Sequence, residues 1–552
     1  MPHLDGQLIV IRGINLKSYL DFTQGLIGKG LSFVKSNCTQ DGKVSNAYLD
    51  MHQNAVFELA VAYSQTSTAE CYLQFAAGKS DRDQALAHVF VADVCAEVCS
   101  RLKRCAADFG LAADDFKDEF QHLASAQEVL GRAAMSDLGE AIAADQDLGS
   151  KGLGEEHVMM ADTFRQFGED VVAPLAEDIH RQDQLIPDAI LNGLRDLGCF
   201  GLSVPEKFGG LLPDEGEDSI GMIVVTEELS RASLGAAGSL ITRPEIMARA
   251  LLEGGTPEQQ EKWLPKIAAG DPLCGIALTE PDYGSDVASM KLKATQVEGG
   301  WLLSGAKTWS TFAGKAGLLL TIARSNPDLS FGHRGLSLFI CEKPSFEGES
   351  FEYKQPGGGS LSGTAIPTVG YRGMHSYQLF YDDFFVPDEN VVGESQGLGR
   401  GFYFTMRGLM GGRIQTAARA CGVMQAAFDR AVRYANERKV FGQPIAEFEL
   451  TRSKLARMAA YISAARQMTY AVGRLMDEGK GQTEASLIKL FACKSAEWVA
   501  REAMQIHGGM GYAEETPVSR YWQDARVLSI FEGTEETLAL KVIGRNLVEN
   551  AH

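Results

Sequence analysis

The sequence predicts a multidomain α+β protein in which helical segments flank one strand-rich segment. Apolar residues recur at helical spacing from the N-terminal region to about residue 271, and again from Phe402 to the end. Between Leu273 and about Val392 the pattern changes to short apolar runs bounded by Gly, Pro and Ser, which read as strands. The order is helices, strands, helices, without βαβ alternation, so a dinucleotide fold of Rossmann type is not indicated. Gly397-Leu398-Gly399-Arg400-Gly401 does not alter this, because it lacks the full glycine fingerprint and a preceding βαβ unit.

The chain has 552 residues, too many for one ordinary core. Its net charge of −20 argues against nucleic acid or an anionic membrane as a partner. Ten cysteines are spread from Cys38 to Cys493 without a disulfide framework. Cys95, Cys99 and Cys105 cluster on one expected helix, but no His joins them at ligand spacing. They read as buried thiols, and no metal site is expected. Met1-Pro2-His3-Leu4-Asp5 carries no basic region followed by an apolar core, and no run of 18 apolar residues occurs. A soluble cytoplasmic protein is expected.

Residues 1–148 form an expected N-terminal helical extension. Leu49, Val56, Leu59 and Tyr63 mark one amphipathic segment, Asp81 opens a second, and a third runs from about Asp114 to Ala144. Leu148-Gly149-Ser150-Lys151-Gly152-Leu153-Gly154 reads as a flexible linker. Residues 149–271 form a second helical domain, with Phe164, Phe167, Val171, Val172 and Leu175 on one face. Thr256-Pro257-Glu258 starts one of its helices, with a capping threonine and proline in the first turn. Residues 272–400 form the strand domain. Gly299-Gly300 joins Lys291–Val297 to Trp301–Ser304 as a hairpin. Leu318–Ala323, Leu336–Cys341, Tyr377–Phe380 and Phe384–Val386 are further strands, and Glu347–Gly370 reads as an inserted loop. Residues 401–552 return to helices, over Arg413–Arg438, Leu450–Glu478 and Ala485–Met504.

One stretch near the C-terminus places a single carboxylate, Glu532, between the apolar run Val527–Phe531 and Gly533. Burial raises a carboxylate's pKa, and a carboxylate so raised can act as a general base near neutral pH. Gly533 allows close backbone approach. Four other stretches complete a pattern: Leu278-Thr279-Glu280-Pro281-Asp282-Tyr283-Gly284-Ser285, Gly305-Ala306-Lys307-Thr308-Trp309-Ser310-Thr311, Arg438-Lys439-Val440-Phe441-Gly442 and Gln505-Ile506-His507-Gly508-Gly509-Met510-Gly511-Tyr512. Together they resemble the acyl-CoA dehydrogenase family over about residues 155–550.

The resemblance implies a helical domain, a β-barrel-like middle domain and a C-terminal helical bundle with FAD bound between them. The extra N-terminal helical domain precedes these. It implies Glu532 as catalytic base, with Gly412, before Arg413, at the position some members use instead. Leu278, Thr279, Ser285, Trp309 and Thr311 match contacts to the flavin ring. Arg438 and Phe441 match residues that reach the FAD of a neighbouring subunit, and a guanidinium suits a pyrophosphate. Gln505, Gly508 and Gly509 match a backbone cradle for the adenosine half, and Thr534 and Glu536 match further FAD contacts. Ser285, Arg413 and Gly533 match the acyl-CoA side. Phe531 stands where tyrosine is frequent, Glu449 where glutamine is frequent, and Met410 where aspartate is frequent.

The resemblance implies oxidation of an acyl-CoA at Cα–Cβ, with electrons passed to an electron-transferring flavoprotein. An acyl-CoA oxidase and a non-catalytic assembly factor on the same fold are the alternatives. Within the family, the long N-terminal extension together with the Gly- and Ser-rich insert in the strand domain resembles members whose likeness implies a homodimer and a short, branched substrate with a carboxylate at its far end. Burying that carboxylate demands a cation or several N–H donors. Arg243, before Pro244, is the cationic candidate; its other reading is a surface arginine at a helix break. Ala237 matches the arginine position of a relative that handles a dicarboxylic acyl-CoA.

Overall fold

A computed structural model describes residues 16–551, so the N-terminal pentapeptide read above lies outside the described residues. The chain packs as two compact units, one of residues up to 158 together with 416–552, the other of residues 159–415.

In the first unit, helices Leu16–Cys38, Gln53–Ala76 and Asp81–Arg104 are followed by shorter ones. A minimal hairpin, β1 (Thr39–Gln40) and β2 (Lys43–Val44), turns the chain between the first two. The helix Gln53–Ala76 buries Val56, Leu59, Ala60, Ala62, Ala69 and Tyr72, more than one stripe. It packs against the C-terminal helices Glu449–Asp477 and Gln482–His507, where the Ser64 hydroxyl donates to the Leu487 carbonyl at 2.7 Å. Helix Arg132–Asp145 also packs closely on Glu449–Asp477, where a Cβ on Gly139 would overlap the Arg452 backbone. Phe90 meets Tyr461 and Phe491 edge-on, with centroids 5.0 and 5.5 Å apart.

Three expectations change here. The single helix read over 114–144 is a 3₁₀ turn, Ala113–Phe116, and two helices, Glu119–Leu130 and Arg132–Asp145. The break is Gly131, whose extended backbone (φ −66°, ψ 158°) caps the second helix. The glycine-rich stretch 148–154 is not loose. Its backbone is held by Asp83, Ser463, Gln467 and Arg474. Cys95 and Cys99 are buried, but Cys105 is exposed, one residue past the end of its helix.

In the second unit, helices precede the sheet. Helix Pro257–Ala269 begins with the expected cap: Thr256 accepts from the Gln259 N–H, and the Gln259 side chain accepts from the Thr256 N–H. The sheet strands are β3 (Cys274–Ala277), β4 (Lys293–Val297), β5 (Gly300–Thr311), β6 (Leu318–Arg324), β7 (Leu336–Glu342), β8 (Ser350–Lys354), β9 (Ser360–Ile366) and β10 (Ser376–Pro387). β3 runs parallel to β6, and β6 pairs antiparallel with β7. β4–β5–β10–β9–β8 form an antiparallel run. The hairpin at Gly299 is present. The inserted loop is instead the hairpin β8–β9. Its polar, Gly- and Ser-rich composition hides the strands because much of their surface faces solvent. The two strands read at 377–386 are one strand with a register shift between Tyr381 and Phe384.

The helix Gly401–Glu437 starts well before Arg413. Glu449–Asp477 and Gln482–His507 follow close to expectation. Among the described residues, no helix is long and apolar enough to cross a membrane.

Candidate active site

The Leu278–Ser285 and Gly305–Thr311 motifs of the second unit meet at one end of β5. Lys307 is fully buried, and its Nζ donates to the Leu278 carbonyl (2.8 Å) and to Glu280 Oε1 (2.9 Å). Glu280 also accepts from the Lys291 and Leu292 N–H groups at 2.7 and 2.8 Å. Burial pushes the Lys307 ammonium down to about 8, against the attraction of Glu280. The Thr308 N–H donates to the Thr279 carbonyl at 2.8 Å. These bonds lock the loop carrying Leu278 and Thr279 to the strand carrying Trp309 and Thr311, while Ser285 is exposed further along it. Trp309 has φ +56° and an indole 55% exposed, so it is no core anchor. The buried Thr311 hydroxyl lies 3.0 Å from the Ser376 hydroxyl.

Arg243 is buried in the helix Thr242–Gly254, which excludes the surface reading. Proline fits the first turn of a helix, so Pro244 does not break it. Arg243 Nη1 donates to the Ser239 carbonyl at 2.9 Å and the Tyr371 hydroxyl at 3.3 Å. Ala237 is buried beside apolar neighbours. Gly411, next to the alternative base position Gly412, leaves room for the Glu245 carboxylate, which a Cβ there would strike. Glu245 is committed, accepting from Arg249 Nε at 2.8 Å and from Gln415. Arg413 is half-buried; the Met410 side chain lies outside the described residues. Asp183, Glu349 and His375 lie close enough to hold a cation, and Asp183 also lies 3.3 Å from His375 Nε2 and 3.6 Å from Arg372 Nε.

In the first unit, Glu532 sits at the tip of a loop after helix Pro517–Leu528, with φ +55°, followed by Gly533 at +98°. The Thr534 hydroxyl caps the next turn by accepting from the Thr537 N–H at 3.3 Å, and Glu536 is exposed. Lys489 Nζ donates to the Gly533 carbonyl at 2.6 Å. The Arg419 guanidinium lies over the Phe531 ring, 5.0 Å from its centroid, and is fully buried. Arg438 ends the long helix, exposed, before the hairpin β11 (Lys439–Val440) and β12 (Gln443–Pro444). Phe441 and Gly442 make its two-residue turn at φ +50° and +88°, and Phe441 is 98% exposed. Gln505, Gly508 and Gly509 are exposed at a helix end, with open space where either glycine's Cβ would stand. Glu449, the departure from glutamine, is held by Arg132 Nε at 2.7 Å.

Sequence profiles of the acyl-CoA dehydrogenase N-terminal, middle and C-terminal domains match residues 154–271, 275–384 and 399–548. The (2S)-methylsuccinyl-CoA dehydrogenase of Cereibacter sphaeroides is 42% identical over 403 residues, 73% of this chain and 71% of that one. The chain belongs to the acyl-CoA dehydrogenase family. Butyryl-CoA dehydrogenase from Megasphaera elsdenii superposes with a TM-score of 0.65 at 32% identity, covering 72% of this chain and 99% of that chain. A chain from a structure of the electron transferring flavoprotein of Acidaminococcus fermentans superposes with a TM-score of 0.64 at 30% identity, covering 71% and 97%.

Acyl-CoA dehydrogenases are FAD-dependent oxidoreductases acting on CH–CH groups, and this chain shares their fold and activity. The residues present fit the flavin: a flat, exposed indole beside a buried hydroxyl on one strand end offers an apolar face and a hydrogen-bond partner together. Reading from sequence missed two buried cations of this acyl-CoA dehydrogenase, Arg419 and Lys489, and gave Lys307, which it did single out, no partner. The signal for the first was a lone charge in Ala417-Ala418-Arg419-Ala420.

Proposed function

We propose that the chain oxidises (2S)-methylsuccinyl-CoA to mesaconyl-CoA in the ethylmalonyl-CoA pathway, as a cytoplasmic homodimer that passes its electrons to an electron-transferring flavoprotein. The similarity to the Cereibacter sphaeroides enzyme carries the choice of substrate. FAD, when bound, supplies the hydride acceptor. Glu532 takes the Cα proton, since Gly412 cannot and Glu245 is committed elsewhere. The Glu532 N–H meets the thioester oxygen as negative charge develops there. Leu278, Thr279, Ser285, Trp309 and Thr311 hold the flavin ring. Arg438 and Phe441 reach the cofactor of the neighbouring subunit, while Gln505, Gly508, Gly509, Thr534 and Glu536 hold the remainder. Ser285, Arg413 and Gly533 face the acyl-CoA.

The substrate's far carboxylate needs a cation or several N–H donors. Arg243, buried next to Tyr371, and Arg419, buried over the ring of Phe531 beside the base, both supply a cation. Arg419 is the better placed in sequence, because its contact residue adjoins Glu532. The homodimer reading draws on the N-terminal helices, which cover the helices Glu449–Asp477 and Gln482–His507. Anaerobic titration of the purified protein with methylsuccinyl-CoA and with neutral 2-methylbutanoyl-CoA, following flavin bleaching, tests the reading. Complete bleaching by the first at far lower concentration is expected. Preference for the neutral thioester would overturn the substrate, and rapid peroxide formation in air would overturn the acceptor.

A further inference from the structure

Glu532 occupies a backbone conformation that an L-residue with a Cβ disfavours by about 1–2 kcal/mol. Something outside the loop must therefore hold it. The loop's base is closed by the Glu535 N–H donating to the Ser529 carbonyl at 3.2 Å, and by the Thr534 cap. Its centre is held by Lys489, which reaches in from helix Gln482–His507. The Nζ–O distance to Gly533 is 2.6 Å, the length of a strong, charge-assisted bond. Lys489 is 1% exposed, on a helix turn whose other residues, Leu487, Ile488, Leu490 and Phe491, are also buried. Burying an ammonium there is costly, far more so than burying a methionine of similar length.

We infer that Lys489 is a positioning residue: through the Gly533 carbonyl it fixes the loop in the state that aims the Glu532 carboxylate and N–H at the thioester. The inference rests on the reading of Glu532 as the base. The Gly533 peptide cannot rotate without breaking the bond to Nζ, and Gly533 itself, at φ +98°, has no side chain to restrain it. Lys489 thus supplies the rigidity that the glycine lacks. Its charge also reaches one helical turn along: burial pushes the Cys493 thiol up to about 11, with Lys489 and Arg419 drawing it back.

The test uses the FAD-loaded full chain with Lys489→Met, which keeps the length and loses the donor, and Lys489→Arg, which keeps the charge. Flavin reduction is followed by anaerobic stopped flow, per bound FAD, with protiated and Cα-deuterated methylsuccinyl-CoA. Affinity for a non-reducing acyl-CoA analogue is read from the flavin spectrum. Lys489→Met is expected to lower the reduction rate about 10–100-fold and to raise the Cα-deuterium isotope effect. Analogue affinity should stay near wild type, and Lys489→Arg should recover part of the rate. An unchanged rate per FAD, or an unchanged isotope effect with weakened analogue binding, overturns the inference. Should Lys489→Met fail to fold, the isotope effect of Lys489→Arg decides: a raised value supports the role and an unchanged one refutes it. Normal turnover by Glu532→Gln would remove the base reading and this inference with it. Loss in Glu532→Gln with a normal Lys489→Met would remove only the role of Lys489.

Discussion

Lys307→Met should destabilise the second unit and loosen the loop carrying Leu278 and Thr279 together. The wild-type ammonium makes two bonds shorter than 3 Å, to the Leu278 carbonyl and to Glu280, with neither partner of the ion pair open to solvent. Removing one member of a buried pair typically costs about 3–5 kcal/mol, because the other charge remains buried. Glu280 would keep its two backbone donors, at Lys291 and Leu292, so the lower end, about 3 kcal/mol, is expected. For a unit of this size that corresponds to a fall in Tm of roughly 6–12 °C. The assay is thermal unfolding in excess FAD, with the fraction of FAD retained after gel filtration measured alongside. Adding Glu280→Gln removes the stranded charge, so the double variant should recover about 1–2 kcal/mol of the loss. A Tm change under about 2 °C, or purely additive single effects, would refute the claim that this ion pair locks the loop.

Glu532→Gln should keep FAD and fold but lose at least about a hundredfold in flavin reduction, since an amide cannot take the proton; a smaller loss refutes the base assignment. Arg438→Ala should lower FAD retention on dilution without changing Tm in excess FAD, and unchanged retention refutes its contact with the pyrophosphate. Light scattering should return a dimer, and a stable tetramer refutes the role given to the N-terminal helices. Lys343 gives a pH test. Burial pushes its ammonium from 10.5 down to about 7, so between those values the unfolded chain binds the proton and the folded one does not. Its contribution is full above pH 10.5 and is lost as pH falls through about 7. The stability of wild type relative to Lys343→Met should therefore rise between pH 7 and 9.5, and a constant difference refutes the shift.

Helices and hairpins set by local rules were legible. Apolar periodicity located the helices around residues 450–478 and 485–504, and Gly299-Gly300 located the β4–β5 turn. The β8–β9 hairpin was not legible, because its short strands Ser350–Lys354 and Ser360–Ile366 are flanked by the Gly- and Pro-rich stretches 355–359 and 367–370, which read as loop. Glu532, Trp309 and Phe441 were found through their flanking residues. Lys489 and Lys307 were not assigned contacts, because each acts on a carbonyl 29 to 44 positions away, a pairing that only the fold creates. Arg243 was misjudged as possibly exposed because Pro244 was taken as a helix break, whereas it stands within the first turn of its helix.

Backbone geometry links the motifs in a way that composition cannot. Trp309, Phe441 and Glu532 all adopt φ between +50° and +56°, a region costly for residues that are neither glycine nor asparagine. Each comes from a different motif, and each is held by specific neighbours. Thr308 bonds to the Thr279 loop on one side of Trp309, and the Phe312 N–H donates to the His375 carbonyl on the other. Phe441 shares a tight turn with Gly442, and Glu532 precedes the carbonyl bound by Lys489. Trp309 and Phe441 gain little burial within the chain, so packing does not explain the strain at those two positions. Strain that the surrounding contacts over-determine, at exposed aromatic side chains, fits residues whose direction matters more than their packing. A scaffold that accepts about 1–2 kcal/mol at each of these points fixes the backbone directions of an indole, a phenyl ring and a carboxylate, and fixed direction is what the roles proposed for these residues would need.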